Sequence, residues 1–193
     1  MKKWLKPIAA LKPCQEALNW AEAYSSLTAA WASCERGDWM LWLLGKLVGP
    51  PESDSRRRLT LAACACARLA LPHISKGETR PLQSIETAEK WARGEEGITL
   101  DDVRLAARAA YAAYATAYAT YTADDATCAA YAAYAAARAA YATACAAYAT
   151  AYAAYTADDT DAEVYNQTLA KCADIVREYY PGIGDYVSAP KED

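Results

Sequence analysis

Apolar positions recur three and four residues apart through most of the chain, the spacing of one helix face, and strict apolar–polar alternation of the kind that marks strands is absent. Over 15–24 this spacing puts Ala17, Leu18, Ala21 and Trp20 on one face, and Ser25-Ser26 supplies a cap signal for a second helix over 26–32. Asp38 is the expected N-cap of a helix over 39–48. Its run Trp-Met-Leu-Trp-Leu-Leu is apolar nearly all round, which predicts burial. Gly49-Pro50-Pro51 ends that helix, and Ser53 or Ser55 is placed to cap the next, over 56–71, with Leu59, Leu61, Ala62, Ala65, Leu69 and Ala70 toward a core. Pro72 is its expected stop. A further helix runs from Pro81 to about Ala92, and 94–97, with a glycine at each end, breaks the chain again.

From 106 to 157 the pattern changes to alanine and tyrosine, with Arg108, Asp124, Asp125 and Arg138 as the only charges. Thr99-Leu100-Asp101-Asp102 reads as a capping box that starts this region. Tyr111, Tyr114, Tyr118 and Tyr121 form one helical stripe. Tyr131, Tyr134, Tyr141, Tyr148, Tyr152 and Tyr155 form a longer one, with Arg138 and Cys145 in its two missing slots. Alanine has the highest helix propensity, so the residues between the tyrosines favour helix without specifying a partner surface. Three long helices are expected, over 100–122, 126–157 and 161–179. Residues 112–119 and 146–153 both read AAYATAYA, an offset of 34 residues that is typical of a helical-hairpin repeat. The sequence therefore predicts an all-α fold: a single helical domain over 1–180, short helices over 1–98 and long Ala/Tyr helices over 99–180, then a loosely held tail over 181–193.

Composition narrows what such a fold does. A net charge of -4 gives no cationic field for a phosphate backbone, so nucleic acid is not expected as a partner. The uncharged stretch 139–157 approaches the length of a membrane span, yet alanine, threonine and tyrosine carry too little transfer energy for one, and no membrane association is expected. The first residues are basic but are followed by too short an apolar run for a signal-peptide core, and seven cysteines, an odd count, suit a reducing compartment. The cytoplasm is the expected location. Cys64 and Cys66 lie two apart on a helix and point in different directions, and no CxxC or HxxxH motif occurs, so neither a metal nor a cofactor is expected.

His73, beside Pro72, is the chain's one histidine and reads as a helix-terminal residue; with only scattered carboxylates around it, no catalytic set emerges and no enzyme is expected. The best polar constellation is Glu35-Arg36-Gly37-Asp38-Trp39. Arg36, Asp38 and Trp39, joined by Arg68 and Trp91, would make a pocket for a small anionic or aromatic ligand. The plainer reading has Asp38 as a cap, Gly37 permitting the turn, and Trp39 and Trp42 in the core; the two coexist. For the tyrosine rows the plain reading is core packing against alanines. Tyr148 and Tyr152 are alternatively part of a broad contact surface, since tyrosine anchors interfaces well. Long uncharged alanine faces favour self-association, a homo-oligomer with a two-fold dimer first.

The strings Cys34-Glu35-Arg36-Gly37-Asp38-Trp39-Met40-Leu41-Trp42-Leu43-Leu44, Leu61-Ala62-Ala63-Cys64-Ala65-Cys66-Ala67-Arg68-Leu69-Ala70 and Ile85-Glu86-Thr87-Ala88-Glu89-Lys90-Trp91-Ala92 resemble a bacterial and phage immunity protein family, over 14–180. The resemblance implies an all-helical cytosolic protein that neutralises a protein target, such as a toxin, by stoichiometric binding. A sequestering protein for a small molecule such as a nucleotide signal, and a self-assembling structural protein, are the alternatives.

Overall fold

Local chemistry accounts for most helix starts in the computed structural model, which describes residues 1–74, 76–120 and 162–188. A 3-10 turn, Lys3–Leu5, leads into α1, Lys6–Ala10, and the chain continues through α2, Gln15–Ala21, α3, Leu27–Ser33, and α4, Gly37–Leu47. The Ser26 hydroxyl caps α3 by accepting from the Ala29 N–H at 3.1 Å. In α5, Asp54–Arg68, Ser53 is the cap, accepting from the Arg56 N–H at 3.2 Å, while the Ser55 hydroxyl accepts from the Gly49 N–H at 3.1 Å. α5 ends before Pro72, which lies in a second 3-10 turn, Leu71–His73. α6, Arg80–Arg93, stops at Gly94, where φ is 74° and the N–H bonds of Gly94 and Glu95 return to Trp91 and Lys90. The capping box opens α7, Leu100–Thr120: the Thr99 N–H donates to Asp102 Oδ2 at 2.7 Å and the Asp102 N–H donates to Thr99 Oγ1 at 3.2 Å.

One expected cap is corrected. α4 begins at Gly37 with Arg36 at the N-cap, so Asp38 lies inside the first turn and caps nothing. Its carboxylate takes two hydrogen bonds from Arg36 instead, a charge-assisted pair that outcompetes a neutral amide.

The last long helix, α8, Ala162–Tyr179, organises the rest. It packs against α4 and α5, α5 against α6, and α6 against α7. Small residues allow this: a Cβ placed on Gly37 would stand 2.6 Å from the Cβ of Cys172 and 2.8 Å from the backbone of Ala173 in α8. α5 is covered on two sides, which explains why Cys64 and Cys66 are both fully buried although they point apart: the Cys64 thiol donates to the Ile85 carbonyl of α6, and the Cys66 thiol to the Cys172 carbonyl of α8. One apolar core runs from Leu5 to Ile183.

Every regular element among the described residues is helical, and none of these helices is long and apolar enough to cross a membrane. In α7 the buried stripe is Val103, Ala107 and Ala110, whereas Tyr111, first of its tyrosine row, is 48% exposed. Among the residues of α7 whose side chains are described, up to 112, Val103 and two alanines rather than Tyr111 face inward. The expected helix over 126–157, the 34-residue repeat, Tyr148 and Tyr152 lie outside the described residues. The expected loose tail is structured through Ser188: Ile183 is buried, α9, Gly184–Ser188, follows, and the Tyr186 ring meets Tyr180 edge-on at 5.3 Å.

Candidate functional site

Five of the six tryptophans, Trp4, Trp20, Trp31, Trp39 and Trp42, line one half-open cleft of about 380 Å³ between the N-terminal turn, α2, α3 and α4. That volume is within the range of about 300–1,000 Å³ found for small-molecule sites. Helical spacing puts Trp39, Trp42 and Leu43 on the cleft side of α4. Trp20 from α2 meets Trp39 edge-on with ring centroids 5.8 Å apart. Trp4 is carried in by the N-terminal turn, which Leu5 and Ile8 anchor in the core, and its buried indole N–H finds no hydrogen-bond partner among the described residues.

The floor is fixed from α8. The Trp31 indole N–H donates to the Tyr180 carbonyl at 3.0 Å, and Arg177 Nη1 donates to the carbonyls of Cys34 at 2.7 Å and Trp31 at 3.3 Å. These carbonyls sit at the C-terminal end of α3, where backbone acceptors lack helical partners and the helix dipole favours a cation. Arg177 therefore holds the α3–α4 turn in place.

That turn presents Arg36. Its Nε and Nη2 donate to the two Asp38 oxygens at 2.9 and 2.8 Å, its Nη1 donates to Glu16 Oε1 at 3.3 Å, and its guanidinium carbon lies 4.2 Å from the centroid of Trp39. The hydrogen bonds that Arg36 donates to the Asp38 carboxylate raise its pKa above an already high ordinary value. Burial pushes the Cys34 thiol, which also lines the cleft and donates to the Arg36 carbonyl, up to about 11, so it is a neutral thiol at pH 7. Among the described residues no group of three or more His, Cys, Asp or Glu side chains is placed to hold a metal ion. Chemically, the arrangement suits holding an apolar or aromatic body with a polar end at the Arg36 edge.

Of the sequence candidates, Arg36, Asp38 and Trp39 come together here. Arg68 and Trp91 serve elsewhere: Arg68 makes a bidentate pair with Glu89, Nε–Oε1 2.7 Å and Nη2–Oε2 2.8 Å, and buried Trp91 lies beneath the Arg57 guanidinium at 4.8 Å. Their direction around α5 and α6 separates them from the Arg36 turn. Sequence reasoning missed Trp4, Trp31, Glu16 and Arg177 as site components. The crowding of five tryptophans into the first 42 residues was the available signal for the first two. Compared with known proteins, the chain matches no family model, no curated protein and no solved structure.

Proposed function

We propose that the protein is a non-enzymatic binding protein that works by stoichiometric occupancy of the tryptophan-lined cleft. The convergence of five tryptophans on one half-open cavity carries this reading. Aromatic side chains gathered in a core normally fill it, and here they leave room for a small molecule or an inserted side chain. Charged groups stand only at its edge, the usual arrangement where apolar contact supplies affinity and a few polar groups supply orientation. A nucleotide signal suits the cleft less well than an apolar or aromatic ligand, because Arg36 is already shared between Asp38 and Glu16.

A second reading, neutralisation of a protein target in the manner of an immunity protein, is favoured by one observation. The string 34–44 that carries the immunity resemblance is also the segment that supplies Cys34, Arg36, Asp38, Trp39, Met40, Trp42 and Leu43 to the cleft. In that case an apolar side chain of the target occupies the same space.

Native mass spectrometry of protein purified from its natural host separates the two. The first reading expects a small non-covalent adduct that is lost in a folded Trp39→Ala variant. A protein partner that persists in Trp39→Ala, with no small adduct on the wild type, overturns both uses of the cleft.

A further inference from the structure

Charge at the mouth decides what kind of molecule the cleft suits. Among the described residues that line it, the charged ones are Arg36, Asp38 and Glu16, one guanidinium against two carboxylates. All three guanidinium nitrogens of Arg36 already face carboxylate oxygens, so an arriving anion would have to displace a carboxylate and would sit beside both of them. A cation meets the opposite situation. The face of Trp39 is already a cation seat, occupied by the chain's own Arg36 at 4.2 Å. That occupant is releasable: the Arg36 side chain is 26% exposed, and its contact with Glu16, whose side chain is 71% exposed, is the longest of its three. Asp38 is held more firmly, at 13% exposure in the first turn of α4.

We propose that the cleft takes an organic cation with an apolar, ring-bearing body: the body lies among the tryptophans, and the charged end replaces the Arg36 guanidinium over Trp39, between Asp38 and Glu16. This rests on the cleft being a binding site, as argued above. The exchange substitutes one cation for another, so neither carboxylate is left unmatched, while Arg36 moves out to water. Arg36 is thus a resident competitor of the ligand, and removing it strengthens binding.

Isothermal titration of the full chain with three compounds of one shape tests this: 2-naphthylmethyl-trimethylammonium, 2-naphthylmethanol and 2-naphthoate. The expected order is cation, then alcohol, then carboxylate, with the cation about tenfold or more ahead of the alcohol. Arg36→Gln is expected to tighten the cation and leave the alcohol within about twofold. Asp38→Asn removes the cation's advantage without changing the alcohol. Glu16→Gln, on an exposed side chain, lowers the advantage by less and keeps the test independent of any effect of Asp38 on folding. A carboxylate that binds as tightly as the cation, a charge-blind series, or an Arg36→Gln variant that weakens the cation overturns the proposal while the binding cleft stands. If none of the three compounds binds, the cleft reading itself falls with it.

Discussion

The two sides of α4 are made from adjoining residues of one apolar run and behave oppositely. Gly37, Leu41, Leu44 and Val48 form a closed stripe, and Leu41 and Leu44 are wholly inaccessible. Trp39 and Trp42, on the other side, remain half-buried and line a cavity. Glycine at 37 lets the α8 backbone approach the closed side, so side chains there meet few gaps. On the open side, five large rigid rings come from four separate pieces of chain, and their shapes leave a space. Close packing comes from small residues that admit another backbone; a cavity comes from large ones that hold it off.

The largest expected effect separates the sides directly. Leu44→Ala creates a void in the closed side and is expected to lose about 2–5 kcal/mol in urea unfolding, whereas Trp42→Ala, on the cleft wall, loses clearly less. Equal losses would erase the distinction between the sides. Gly37→Ala tests the close approach itself: the added methyl group meets Cys172 and the Ala173 backbone, which cannot rotate away, and a loss of about 1–3 kcal/mol is expected. An unchanged midpoint would mean that α4 and α8 are not held at this distance. Next comes Tyr180→Phe, which leaves the Ser55 carbonyl without the hydroxyl that now donates to it at 2.6 Å, with a loss of about 1 kcal/mol.

On the cleft side a pH dependence is expected. The Cys34 thiol has its ordinary value of 9.0 raised to about 11 by burial, so folding favours the neutral form. This contribution is complete below pH 9 and is lost as pH rises toward 11, because the unfolded chain ionises first. Stability measured from pH 7 to 11 is expected to decline over the upper half of that range, less steeply in Cys34→Ala. In the same range of behaviour, iodoacetamide at pH 8 followed by peptide mass analysis is expected to label exposed Cys14 well ahead of Cys34 and Cys64. Rapid labelling of Cys34 would show that the cleft floor opens.

What was legible in the sequence follows the range of the interactions. The caps at Ser26, Ser53 and Thr99 and the stop at Gly94 each involve groups within about five residues, and they are found as read, apart from the choice between Ser53 and Ser55. Arg36, Asp38 and Trp39 lie together for the same reason. The role assigned to Asp38 failed because a charged neighbour two residues back competes for its carboxylate. Arg68 and Trp91 were assigned to the same pocket on residue type alone, and helix orientation sends them to Glu89 and Arg57.

By itself the sequence determined that the chain is helical and where most described helices start and stop, because propensity and capping act locally. Only the tertiary structure decided that α8 packs on α4 and α5, that Ala107 and Ala110 are buried in α7 while Tyr111 is exposed, and that Arg177 and Tyr180 hold a turn and a tryptophan 143 and 149 residues away. Such contacts depend on which helix faces meet. Alanine-rich and all-round apolar helices offer several faces of nearly equal merit, so the choice among them is made by close backbone approach at Gly37 and by partners far along the chain.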